Sequence, residues 1–206
     1  LVLFPSIKLI YSKQTTNKGR TMYLKKLFTA VLLLSTLLSS NVFSAEETPD
    51  YERILKEGAY EIRDYPPILV AKATGGNLFR TIADYIFGNN SRNEEIPMTA
   101  PVFSQTKNEQ TTMMFYMPSY FTSLQELPKP NNRRVKLGVF KLGKVAVARF
   151  SGYNNYEKQQ QVLKKLVRWA KAKNLQFRED NYFSAGYDSP WVPANQRTNE
   201  VLIKIK

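Results

Sequence analysis

The chain contains no cysteine and no histidine. The first absence removes disulfides, thiolate nucleophiles and a lipid-modified cysteine at an export site, so stability has to come from a packed core. The second removes the usual zinc ligands, Ser–His and Cys–His nucleophilic pairs, and haem iron held by imidazole. No P-loop, GxGxxG run, EF-hand pattern or nucleophile elbow is present, and Gly75-Gly76 is too little for a phosphate cradle. Nor is there an apolar run long enough to span a bilayer. The longest, Leu27 to Leu38, is about a dozen residues.

That run is what a secretory signal requires. Met22 is a good initiator, Lys25 and Lys26 form a positive n-region, and Val42-Phe43-Ser44 offers compact residues before a cut after Ser44. Residues 1–21 then read as an upstream misassigned start or a disordered extension, residues 22–44 as the signal, and 45–206 as one mature domain. An uncleaved N-terminal anchor is the alternative. The expected location is the periplasm or the medium.

The formal charge of +13 is smaller in the mature part, because the first 44 residues carry six Lys/Arg and no acid, leaving +7. The remainder is mildly basic but lacks the clustered stripe that nucleic acid requires, so no nucleic-acid partner is expected.

After a polar lead, Glu46 to Asp50, strand-like runs fall at Tyr60–Arg63 and Ile68–Ala73, with Tyr65-Pro66-Pro67 turning between them. Gly75-Gly76 breaks the chain. Apolar residues at 78, 79, 82, 83, 86 and 87 predict a one-faced helix stopped by Gly88. Strands follow near Met98–Gln105 and Thr111–Met117, then a Pro-rich loop from Pro118 to Pro130. The order then repeats: strands at Val135–Phe140 and Lys144–Phe150, a helix at Tyr156–Lys173, and strands at Gln176–Tyr187 and Val201–Ile205. An internal duplication predicts a pseudo-two-fold α+β fold, a distorted barrel or sandwich with two amphipathic helices.

Four blocks carry a family resemblance: Tyr60-Glu61-Ile62-Arg63-Asp64-Tyr65; Tyr85 to Asn90 with Glu95-Ile96-Pro97-Met98-Thr99-Ala100-Pro101-Val102; Phe115 to Pro130; and Tyr187-Asp188-Ser189-Pro190-Trp191 with Arg197 to Ile203. In this order they resemble the SOUL haem-binding family over roughly residues 51–206. The resemblance implies a barrel-like α+β fold, shared with gyrase-inhibitor-like effector domains. It also implies haem or another tetrapyrrole as ligand, held in an apolar groove beside the first helix. Two positions depart from the family. Asp64 stands where some members carry a proposed axial histidine, and Gly76 where others carry a propionate-facing arginine.

A porphyrin needs a flat apolar slot with cations at its rim. Phe79, Ala83 and Phe87 are expected to line one wall, with Met98 from the adjoining segment. Arg80 and Arg63 are the candidate propionate partners, and Arg80 also reads as a solvated helix residue. Binding would rest on apolar stacking, with Tyr or Met as the remaining iron-binding side chains. Trp191 is a candidate stacking residue, or the anchor of a loop stiffened by Pro190 and Pro193. Glu200 offers a buried carboxylate, either facing the ligand or hydrogen-bonded structurally, with Arg197 as its natural partner. The basic face of the second helix (Lys164, Lys165, Arg168, Lys171, Lys173) is solvated or meets an anionic membrane surface.

The expected protein is therefore a monomeric, non-enzymatic carrier or buffer of a small, planar hydrophobic ligand. One alternative is a small-molecule hydrolase using Glu200, a second acid and cleft tyrosines. Another is a general hydrophobic-ligand domain. An effector-sensing regulator lacks its DNA-binding module here.

Overall fold

The computed structural model describes residues 46–206. The signal segment and residues 1–21 lie outside them. The chain runs β1 (Glu52–Glu57), β2 (Tyr60–Tyr65), β3 (Ile68–Thr74), α1 (Leu78–Ile86), β4 (Val102–Lys107), β5 (Gln110–Tyr116), β6 (Lys136–Phe140), β7 (Gly143–Phe150), α2 (Tyr156–Ala172), β8 (Phe177–Gly186) and β9 (Asn199–Ile205). All nine strands join one curled sheet in the order β1-β2-β7-β9-β8-β4-β5-β3-β6, antiparallel throughout.

The order displays the duplication. Exchanging β2 with β6, β3 with β7, β4 with β8 and β5 with β9 reverses the series from β2 to β6 onto itself. The pseudo-two-fold axis falls between β4 and β8, which pair over Val102–Ser104 and Ser184–Gly186. β1 stands outside this symmetry, and no strand was expected there. Its sequence, ERILKE, lacks a buried alternation because it is an exposed edge strand.

Each helix covers its own half of one sheet face. Ile82, Tyr85 and Ile86 of α1 pack on Ala71 and Ala73 of β3 and Phe115 of β5. Val162, Leu163, Leu166, Val167 and Ala170 of α2 pack on Ala146 and Ala148 of β7 and on Val201 and Ile203 of β9. Small residues on the strands let the helices approach. Each fully buried Leu or Ile contributes roughly 1.5–3 kcal/mol. The opposite, helix-free face holds a third core that includes Phe103, Leu142, Val145, Val147 and Leu202. Asn77 and Asn155 cap the two helices, accepting from the backbone N–H of Arg80 at 3.3 Å and of Lys158 at 2.9 Å.

The strand boundary that moved furthest is the start of β4. β4 begins at Val102 rather than near Met98, because Pro97 and Pro101 have no N–H to give a ladder.

Candidate functional site

Residues 84–102 set up the α1 surface. Tyr85 is buried and donates its hydroxyl to Pro128 O at 2.9 Å. Asn90, fully buried, donates from Nδ2 to Tyr85 O at 3.0 Å and to Glu94 O at 2.8 Å. The backbone N–H of Ile96 returns to Ile86 O at 2.8 Å, and buried Thr99 donates to Tyr116 O at 2.5 Å. The Tyr85…Val102 signature is thus a clamp that carries the chain from the end of α1 along its flank into β4, leaving Met98 beside the helix.

The outer face of α1 is apolar and uncovered. Phe79 is 54 % exposed, Phe87 61 % and Met98 37 %, with Ala83 partly buried between the phenylalanines. Beneath them, against Val102, Met113 and Phe115, the enclosed space is only about 20 Å³, room for roughly one water. This corrects the expected slot. Ile82, Ile86 and the strand side chains fill the gap between helix and sheet, and what remains is a surface patch. Exposed apolar clusters of this kind mark binding surfaces.

A cation stands at the start of α1 that the sequence did not single out. Arg134, in the loop before β6, donates from Nη2 to Gly75 O at 2.5 Å. Its guanidinium occupies the place where a Cβ on Gly76 would lie, and Gly76 has φ +66°. A side chain there would meet both backbone strain and the arginine. The double glycine was the available signal, legible only once Arg134 is placed on it. Arg80 is exposed, and its side chain makes no hydrogen bond among the described residues.

The other named residues lie elsewhere. Arg63 is fully buried on the helix-free face and cannot serve as a propionate partner. It donates from Nη1 and Nη2 to the two Glu200 oxygens at 2.9 and 2.7 Å, from Nε to Glu61 at 2.7 Å, and from Nη1 to the Tyr65 hydroxyl at 2.9 Å. Glu200 also accepts from Arg149 at 3.0 Å and from the Tyr187 hydroxyl at 2.8 Å. Burial works against the Arg63 charge, but the hydrogen bonds and charge of Glu200 outweigh it and raise its pKa. Burial pushes Tyr65 up to about 12, and Tyr187 also rises by burial beside Glu200.

Glu200 is therefore structural, and its partner is Arg63 rather than Arg197. Both of its oxygens are engaged in these hydrogen bonds. Arg197 instead donates to Val192 O at 2.7 Å and Pro190 O at 2.5 Å, closing the loop that carries Trp191. Trp191 is 91 % exposed, so it does not anchor that loop to the core. It also lies outside the α1 patch. Asp64, near the end of β2, is half-buried, and among the described residues no group of three or more acids could hold a metal ion. Lys171 of α2 and Lys173, which caps it, are taken by Glu179 and Glu57, which narrows the expected basic face to Lys164, Lys165 and Arg168.

The model for SOUL heme-binding protein matches residues 46–204. The chain belongs to the SOUL heme-binding family. Heme-binding protein 2 of Homo sapiens is 31 % identical over 162 residues, covering 71 % of this chain and 78 % of the human protein. Two solved structures share the fold of this SOUL protein at 11 % identity. An uncharacterized conserved protein from Listeria innocua superposes with TM-score 0.53 over 81 % of this chain and 97 % of its own. A hydrolase from Listeria innocua does so with TM-score 0.50, covering 80 % and 95 %. At that identity the likeness establishes the α+β architecture and nothing about activity.

Proposed function

We propose that this SOUL-family protein is an exported, monomeric, non-enzymatic binder of haem or another tetrapyrrole, acting as a carrier or buffer. The macrocycle lies flat on the outer face of α1. The observation that carries this is the apolar surface formed by Phe79, Ala83, Phe87 and Met98 on a chain of this family. Phe79 and Phe87 are eight residues apart, a rise of about 12 Å, which a flat macrocycle can bridge. Family membership and the name of the human relative support the ligand class. The signal-like segment 22–44 supports export.

The residues present fit the macrocycle better than its metal. Two exposed rings supply stacking area, and Arg80 and Arg134 supply cations near the N-terminal half of α1. No imidazole exists in the chain, and the thioethers lining the patch are the exposed Met98 and the deeper Met113. Affinity therefore rests on the ring and its carboxylates, and metal-free porphyrin should bind about as well as haemin.

The test is a Soret titration of the purified protein with haemin. A saturable shift is expected, and Phe79→Asp should remove the part of it that belongs to the α1 patch. The absence of any saturable shift in the unmodified protein would overturn the assignment.

A further inference from the structure

The duplication that sets α1 on one half sets α2 on the other, and the two flanks differ. β4 and β8 stay paired only over Val102–Ser104 and Ser184–Gly186. β8 carries an irregularity between Phe177 and Tyr182, where several of its residues lack a partner on β9. Beyond Ser104, contact between the two strands passes to side chains, Gln105 donating to Asn181 Oδ1 at 3.0 Å. Bulged strands commonly border functional sites, because they re-aim side chains and open a ladder. Here α2, 17 residues against the 9 of α1, flanks the opening. The tip of the β4–β5 hairpin lines it as well. The result is an open cleft of about 1120 Å³, where the α1 side encloses about 20 Å³.

The lining has a definite chemistry. Leu163 and Val167 supply an apolar strip, and Tyr156 and Tyr182 supply aromatic surface. Gln160 donates to the Tyr182 hydroxyl at 2.9 Å and holds that ring in place. Of the acids lining the cleft, Glu179 is matched by Lys171 at 2.7 Å and Asp180 by Arg178 at 2.8 Å. Glu109 remains. Against it stand Lys107, Lys164 and Arg168, which line the same cleft and form no ion pair with any acid of the described residues. An apolar strip flanked by two rings and three unmatched cations suits a flat aromatic molecule bearing carboxylates.

We infer that the cleft beside α2 is a second binding site, separate from the α1 patch, for a planar aromatic or macrocyclic carboxylate. It does not depend on the α1 reading, since it shares no residue with it. Ligand enters between the hairpin tip and α2, lays its ring along Leu163 and Val167, and turns its carboxylates toward Lys164 and Arg168.

Protoporphyrin IX and its uncharged dimethyl ester are suitable probes, followed by porphyrin fluorescence on purified protein. The Phe79→Asp variant silences the α1 patch, and Phe79→Asp/Lys164→Glu/Arg168→Glu also reverses the cleft's charge. All three positions are exposed, and a thermal melt confirms that each variant folds. The expected result is saturable binding of protoporphyrin IX to Phe79→Asp, weakened about tenfold or more by the charge reversal, with the dimethyl ester affected far less. Abolition of all binding by Phe79→Asp alone would overturn the second site and leave the α1 reading standing. Binding to Phe79→Asp that the charge reversal leaves unchanged would also overturn it.

Discussion

Arg63 on β2 and Glu200 on β9 meet through two hydrogen bonds, at 2.9 and 2.7 Å, across the intervening strand β7 and 137 residues apart in sequence. Both are fully buried, on the face of the sheet that no helix covers. A buried pair of this kind is costly to break from one side, because the remaining charge is left in a low-dielectric interior. Arg63→Met should therefore lower unfolding stability by about 3–5 kcal/mol in urea titrations. The double variant Arg63→Met/Glu200→Leu should be more stable than Arg63→Met alone. Arg149, half in solvent, can rehydrate, and Glu61 keeps Arg53 and Lys56. A double variant less stable than the single would show that the pair is not the unit.

The same network gives stability a dependence on pH at both extremes. Glu61 is penalised by burial, but Arg63 outweighs the penalty and its pKa falls below the ordinary 4.5. Its contribution is thus complete above pH 4.5 and is lost as pH drops through the lowered value. Tyr65, raised by burial from 10.0 to about 12, contributes fully below pH 10 and loses that contribution as pH rises toward 12. Stability against pH should be a plateau with an acid fall reduced in Glu61→Gln and an alkaline fall reduced in Tyr65→Phe. Ultraviolet tyrosinate titration should show Tyr65 and Tyr116, both pushed to about 12, ionising at the alkaline end of the curve.

With no histidine or cysteine side chain to titrate, porphyrin affinity should be flat from about pH 5.5 to 8.5. Spectral titrations at intervals across that range check it. A sigmoidal change centred near pH 6–7 would point to a group that this sequence does not contain.

The two faces of α1 should separate binding from folding. Phe79→Asp alters an exposed ring, so its stability should stay within about 0.5 kcal/mol of the parent while porphyrin binding at the α1 patch is lost. Ile82→Asp, three residues on, places a carboxylate in the core with Ala71 and Phe115 and should prevent stable folding. Thermal melts beside Soret titrations distinguish the two.

Gly76→Ala tests the arginine at the head of α1. The substitution forces a Cβ into φ +66° and displaces the Arg134 guanidinium from Gly75 O, costing about 1 kcal/mol or more of stability. Arg134→Ala spares the backbone. Both should weaken protoporphyrin IX binding at the α1 patch by a factor of about three to ten and leave its dimethyl ester unaffected. Equal loss for both ligands would remove Arg134 from carboxylate recognition.

Most of the architecture was readable from local pattern. The apolar spacing of Leu78 to Phe87 and of Val162 to Ala170 placed both helices, Gly75-Gly76 and Gly88 bounded the first, and the repeated strand order anticipated the two-fold sheet. These signals are local: a period, a cap, a turn residue. The Phe79, Ala83 and Phe87 face was nameable for the same reason, since residues three and four apart share a helix surface.

What no local pattern carried is how distant segments meet. On β2 the polar Glu61 and Arg63 turn inward while Ile62 is half exposed, an inversion that makes sense only because Glu200 arrives from the far end of the chain. The α1 slot closed because helix and strand side chains fill the space between them. The α2 cleft opened because β8 parts from β4 and β9, and Arg134 reached Gly76 from another loop. Side-chain periodicity tells which way a residue faces within its own element. Burial, ion pairing and empty volume depend on what packs opposite, and that is settled only when the whole sheet has closed.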